Sequence, residues 1–395
     1  MAEGRDVAVD LATLRALRLR VQGLRAPFDP SAPEVVRRFV AVQAQEFVPA
    51  QWGLAARIPI ERRPDAASVA AALDRGEILR THVLRPTWHF LHPADARWVM
   101  ELSAERVHRQ NGMYYRRVGV EGDTAARGLD LVAASLAGGH RTRAELSAAL
   151  EAGGMPLAGL GFTYLLMLAE LERVAISGAN VGKQRTYAAF DERVPASAPK
   201  PRDEALAGLA ARFIASRWPA TERDFAAWSG FTLGDARRTF ADAADASGAN
   251  GWRIEWVDVE GTPHALDAAS VTVDSAQSGG AQSESGPDAA GRGVVDLLQA
   301  YDEYIMGYAA PRAYLLPDGL DTVHAEFPLH ALMIDGVMSG RWAPVVQAKR
   351  AVVRIVPWRR FSAAEERSLA ASVAEVERFF GVPVTVERVA PSEVG

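Results

Sequence analysis

Between residues 11 and 24, Leu11, Leu14, Leu17 and Val21 recur at helical spacing among arginines, which predicts a basic amphipathic helix. Pro27, Pro30 and Pro33 break it. Val36, Phe39 and Val40 repeat an i, i+3, i+4 pattern, so a helix is expected from 34 to about 42. Pro49 disfavours helix at Val48 and opens another over 49–57. Residues 65–75, rich in alanine and closed by Gly76, make one more. From 77 to 91 the pattern turns β-prone, with Ile78, Val83, Trp88 and Phe90 around Pro86. Helices followed by a two-stranded ribbon outline a winged helix, a variant of helix-turn-helix.

The outline recurs twice. Thr142 and Glu145 have capping-box spacing ahead of a helix to about 150, Gly153, Gly154 and Pro156 make a turn, and 162–171 is apolar and helical. Residues 174–190 carry the glycine-spaced pattern of a hairpin. A third pass opens on Thr221 and Asp224, continues as a helix over 233–244 and ends in strand-like sequence over 252–264. Residues 268–293 are dominated by Ser, Gly, Ala, Gln and Asp, and read as a disordered linker or loop. Beyond it, 295–308 and 331–338 read as strands, the latter a hairpin turning at Asp335-Gly336. A strand over 351–356, a helix over 362–380 capped by Ser362 and a strand over 382–389 complete the chain. The expected fold is α+β: three tandem winged helix-turn-helix units (1–125, 126–200 and 201–267), the linker, and a β-rich C-terminal domain (294–395) with one long helix.

Composition narrows the chemistry. A chain of 395 residues with 49% hydrophobic and 24% charged residues is that of a soluble globular protein. No apolar run reaches the length of a membrane span, and the N-terminus has no export signal, so no membrane partner and a cytoplasmic location are expected. The absence of Cys removes disulfides, thiolate metal sites and Cys nucleophiles together. Residues 75–117 hold eight arginines against four acids, with His82, His89, His92 and His108 among them. Arg80 and Arg85 are therefore candidates for phosphate contacts.

The stretch from Val40 to Arg57 fits an ordinary core least well, because the uncharged amides of Gln43 and Gln45 interrupt it. On a helix, positions two apart point about 200° from each other. The two amides can face one cleft only where the backbone is extended or the helix has ended. Otherwise Gln43 caps a helix end and Gln45 is solvated.

Several segments together resemble the winged-helix DNA glycosylases of the AlkZ and YcaQ type: Gln43-Ala-Gln45, the run from Ile78 to His89, the second unit from Thr142, the Asp224-to-Trp228 pattern and the run from Leu298 to Tyr308. Gln-x-Gln matches the AlkZ branch. The resemblance implies a monofunctional glycosylase acting on double-stranded DNA that carries cationic N7- or N3-alkylated purines, in some members on interstrand crosslinks, as a monomer without cofactor. It implies Gln43 and Gln45 as catalytic residues, and Arg80, His82, Arg85, Thr87 and His89 as DNA-binding. The chain departs from the pattern at Pro86, where the family would place glycine. The chemistry suits neutral amides: N7-alkylation makes the purine a good leaving group, and two carbonyl dipoles can orient a water and stabilise a cationic sugar.

Other readings compete. His89 and His92 could suggest a metal pair, but no third ligand accompanies them and a strand would send them to opposite faces, so no metal is expected. Asp302-Glu303, read as strand, points to a buried structural hydrogen bond. Trp88 reads as core or as a stacking residue. The alternative to a glycosylase is a non-catalytic winged-helix DNA-binding protein or regulator.

Overall fold

The computed structural model describes residues 8–27, 31–245, 254–267, 293–317 and 330–389. Strand β1 (Ala8–Val9) leads into the helix Leu11–Val21, which begins where Asp10 accepts the Thr13 N–H at 2.7 Å. The next segment runs helix Ala32–Phe39, β2 (Ala41–Gln43), helices Phe47–Ala55 and Ala66–Asp74, β3 (Leu79–Val83) and β4 (Arg85–Leu91). Its sheet is ordered β2-β4-β3. The same order of elements returns as helix Gly122–Leu136, β5 (Arg141–Thr142), helices Arg143–Ala152 and Gly159–Leu171, β6 (Ala175–Ser177) and β7 (Thr186–Ala189), with β7 central. It returns again in helices Arg202–Arg217, Glu222–Ser229 and Leu233–Asp245 with β8 (Ile254–Val259) and β9 (Thr262–Asp267). Here a bridge from Ala220 to Ala265 stands in for the short first strand. Strand β1, which periodicity did not reveal, pairs parallel with β8.

Local sequence explains most of these boundaries. Thr142 with Glu145, Thr221 with Asp224 and Ser362 with Glu365 each form both halves of a capping box. Asp335 and Gly336 both take positive φ, 50° and 78°, as the two-residue turn from β11 (Ala331–Ile334) to β12 (Val337–Val346) requires. With β10 (Val295–Leu297), β13 (Ala351–Pro357) and β14 (Val384–Arg388) these strands form a sheet in the order 10-11-12-13-14. The helix Ala363–Phe380 connects the parallel pair β13 and β14 and buries Leu369, Val373, Val376 and Phe379. That face shares one core with Phe39, Trp52 and Leu54 of the first segment. Trp52 Nε1 also donates to Leu297 O at 2.7 Å.

The structure corrects two boundaries, and one expectation falls outside it. The second helix stops at Phe39, not Val42, because Val40 takes φ +66° and Ala41–Gln43 pairs antiparallel with β4. A buried valine with positive φ is strained and must be held by its surroundings. The expected strand over 295–308 ends at Leu297; Asp302 instead caps a short helix, Glu303–Met306, by accepting the Tyr304 N–H at 2.9 Å. The segment expected to be a linker, 268–293, lies outside the described residues except for Gly293. The long helix Pro93–Arg117 was not foreseen either; His92 caps it by accepting the Ala94 N–H at 3.2 Å. Among the described residues no helix is long and apolar enough to cross a membrane.

Candidate active site and nucleic-acid interface

Residues 43–45 are not helical. Gln43 ends β2 opposite His89, and the ladder continues as Ala44 N–H donates to Trp88 O at 2.7 Å. The strand ends at Gln43 and Gln45 lies in a bend beyond it, so the pair is not helical, but Gln43 is buried against Arg85 while Gln45 borders a cavity. Their surroundings differ. Gln43 is 3% exposed and its Oε1 accepts from Arg85 Nη2 at 2.9 Å. Gln45 is exposed, and its Oε1 accepts the Trp88 N–H at 3.2 Å. Each amide oxygen has two lone pairs, so one on each remains for a further donor.

What holds this strand comes from far along the chain. Glu303 Oε1 accepts the Gln43 N–H at 2.8 Å, while Glu303 Oε2 pairs with Arg217 at 2.7 Å. Arg217, fully buried, donates to the carbonyls of Phe39 (3.3 Å) and Ala41 (3.2 Å), bracketing the strained Val40. Asp302 pairs with Arg57 at 2.6 Å. The acidic pair is structural, as expected, but it works from a helix N-terminus rather than a strand.

The five residues expected on DNA are not presented together. Arg80 is 7% exposed; its Nε donates to Ala44 O at 3.0 Å and its guanidinium lies 4.0 Å from the Trp88 ring. Burial and the neighbouring Arg185 lower its pKa to about 10, which leaves it charged at neutral pH. His82 is buried, its Nδ1 2.5 Å from Glu170 Oε2 and its ring centroid 3.9 Å from that of Trp88, tilted by 42°. Arg85 is half-buried on Gln43. Arg80, expected on phosphate, is thus buried and engaged within the protein, and His82 and His89 are turned inwards. Pro86 is exposed and falls in an irregularity of the β3–β4 pairing, so its missing N–H costs no ladder bond.

Arg85 Nε, Thr87 Oγ1 and His89 Nε2 are buried without a partner among the described residues, on alternate positions of β4. They make a polar niche on the Gln43 side of the sheet. Burial, and secondarily the Arg85 charge, push the His89 pKa down to about 3. Its Nδ1 therefore donates to Thr87 O at 2.9 Å, leaving Nε2 as an acceptor. The unfolded ring protonates near 6.5 and the folded ring does not, so this stabilisation is complete above pH 6.5 and is lost as pH falls towards 3. Urea unfolding at pH 4.5 should find the protein less stable than at pH 7 by a margin about 2–3 kcal/mol larger than in His89→Leu; equal pH dependence in both proteins would refute the burial of a neutral ring.

Beside Gln45 opens a cavity of about 580 Å³, walled by Phe47, Trp88 and Tyr187 and reached by Arg143, Lys183 and Arg185. These three cations are exposed. Two of them stand on the turn between β6 and β7, which docks on the first segment as Asn180 binds Asp74 Oδ1 and Ser177 Oγ accepts the Arg80 N–H. The sequence reading missed them; the signal was Lys183-Gln-Arg185 at a predicted hairpin turn, with one of only three lysines.

The profile of the family described as "DNA glycosylase AlkZ-like" matches residues 36–379. The chain belongs to the AlkZ-like DNA glycosylase family. It is 26% identical over 396 residues to an interstrand DNA cross-link repair glycosylase of Streptomyces sahachiroi, covering 94% of this chain and 97% of that one. The solved structure of Streptomyces sahachiroi DNA glycosylase AlkZ superposes with a TM-score of 0.74 at 22% identity, over 97% of this chain and all of that one. The AlkZ-like fold, mixed α and β, is thus shared along nearly the whole length, and the AlkZ-like chain is an enzyme, a DNA glycosylase.

Proposed function

We propose that this glycosylase hydrolyses the N-glycosidic bond of cationic N7- or N3-alkylated purines in double-stranded DNA, as a monomer, with Gln43 and Gln45 as the catalytic pair. The observation that supports the reading is the non-helical Gln43-x-Gln45 segment, in which β2 ends at Gln43 and exposed Gln45 lies at the lip of a cavity rimmed by cations. The free lone pairs of the two carbonyls suit a water and a sugar gaining positive charge. Neutral amides cannot deprotonate water, so the scheme fits labile cationic lesions and not neutral bases. The cross-link repair for which the Streptomyces relative is named extends the proposal to unhooking interstrand crosslinks.

The three repeats of helix, short strand or bridge, two helices and two strands are read as winged-helix units (1–125, 126–200 and 201–267) that present the chain to duplex DNA, with 294–395 as the C-terminal domain. Lys183 and Arg185 are the proposed phosphate contacts. Alanine at either should weaken binding to damaged and undamaged duplex alike and lower the salt slope by about one, whereas Arg80→Ala should leave the slope unchanged. The reading as a whole is tested by incubating the protein with duplex containing N7-methylguanine and measuring free base. Release is expected; no release of any cationic lesion would leave a DNA-binding protein without this activity.

A further inference from the structure

Glu170 is the only charged residue in the apolar helix Gly159–Leu171 and is completely buried. Its Oε2 is heavily used, facing the His82 ring at 2.5 Å and accepting the His82 N–H at 3.1 Å and the Thr81 hydroxyl at 3.5 Å. Its Oε1 has no partner among the described residues. Leaving a buried acceptor unmatched costs about 1–3 kcal/mol, so such a group calls for an explanation. Glu170 borders the cavity beside Gln45. The cavity is thus polarised: exposed Arg143, Lys183 and Arg185 at its mouth, an unmatched acceptor beneath its floor, and aromatic walls between.

A nucleotide turned out of the duplex has the complementary layout, with phosphates outermost and a flat base carrying N–H donors innermost. We propose that Glu170 Oε1 reads the donor edge of the extruded purine, accepting from the 2-amino and N1–H side of an alkylated guanine. Trp88 is already engaged by the His82 ring, at 3.9 Å and tilted by 42°, and by the Arg80 guanidinium at 4.0 Å. Phe47, with Arg80 and Arg185 at 5.5 and 5.1 Å from its ring, and Tyr187 are the other aromatic rings that border the cavity. This inference rests on the glycosylase reading and adds a residue that selects the base.

The test compares duplexes carrying N7-methylguanine with duplexes carrying N7-methylhypoxanthine, which lacks the 2-amino group. Uncleavable 2′-fluoro versions are used for binding and cleavable ones for base release. Wild type should bind the guanine form about 10- to 100-fold more tightly, the range for a hydrogen bond to a charged group. Glu170→Gln can keep its carbonyl on His82 and turn its NH₂ to the cavity, replacing acceptor by donor. Its preference should collapse to within about twofold while binding to undamaged duplex and melting temperature stay near wild type. A preference retained in Glu170→Gln, or absent in wild type, overturns the proposal. If Glu170→Gln proves unfolded, Glu170→Asp, with its shorter reach, must lose most of the preference. Because the binding arm needs no catalysis, a protein that discriminates but releases no base refutes the catalytic reading alone, and one that releases both bases equally refutes only the role of Glu170.

Discussion

Replacing Gln43 or Gln45 by alanine should slow base release from N7-methylguanine duplex by about 10- to 1,000-fold each, the range for losing one positioning or electrostatic group. The two losses should differ in origin. Gln45 is exposed at the cavity lip, so on the proposed reading its removal takes away a group that meets the sugar or the water directly. Gln43 is buried with its oxygen on Arg85 at 2.9 Å, so its removal also leaves a half-buried guanidinium without this partner. The double mutant should cost less than the product of the single ones, because both amides act on one transition state. Undamaged duplex should bind as before, since neutral amides contribute little to phosphate-driven affinity. Single-turnover release and salt-dependent binding separate these effects, and a double mutant at the wild-type rate would show the pair to be structural.

The largest expected effect on stability comes from Glu303. Glu303→Ala strands the fully buried Arg217 and removes the acceptor for the Gln43 N–H, a change of the class that costs about 3–5 kcal/mol. Glu303→Gln keeps the acceptor but not the charge and should lie between. Urea midpoints report the loss. Where Glu303→Gln remains folded, base release should fall further than substrate binding does, because the strand carrying Gln43 is no longer braced. A Glu303→Ala protein with a wild-type midpoint would show that the pair contributes nothing net.

What could be read from the chain alone was what local chemistry decides. The capping boxes at Thr142, Thr221 and Ser362 and the turn at Asp335-Gly336 set their boundaries through neighbours three or four residues away. The helix end at Phe39 was misplaced because its cause lies elsewhere: Arg217, 176 residues from Ala41, bonds the carbonyls on either side of Val40. In the candidate site, the Gln-x-Gln pair stood out through its polarity in an apolar run. The burial of Arg80 was not legible for the converse reason, since a basic stretch reveals charge but not which guanidinium ends up on an indole ring. Glu170 carried a visible mark, a lone acid in an apolar helix, but its meaning needed the cavity.

The bond from Glu303 to the backbone of Gln43 spans 260 residues of chain. At translation rates of about 5–20 residues per second, the strand carrying the amide pair therefore leaves the ribosome roughly 13–50 s before its brace exists. Chains aborted or clipped between residues 45 and 303 would carry Gln43 and Gln45 and still lack the carboxylate that braces this strand. Synthesis from N- to C-terminus thereby acts as a timer, leaving the strand that ends at Gln43 without its Glu303 brace until most of the chain has been made.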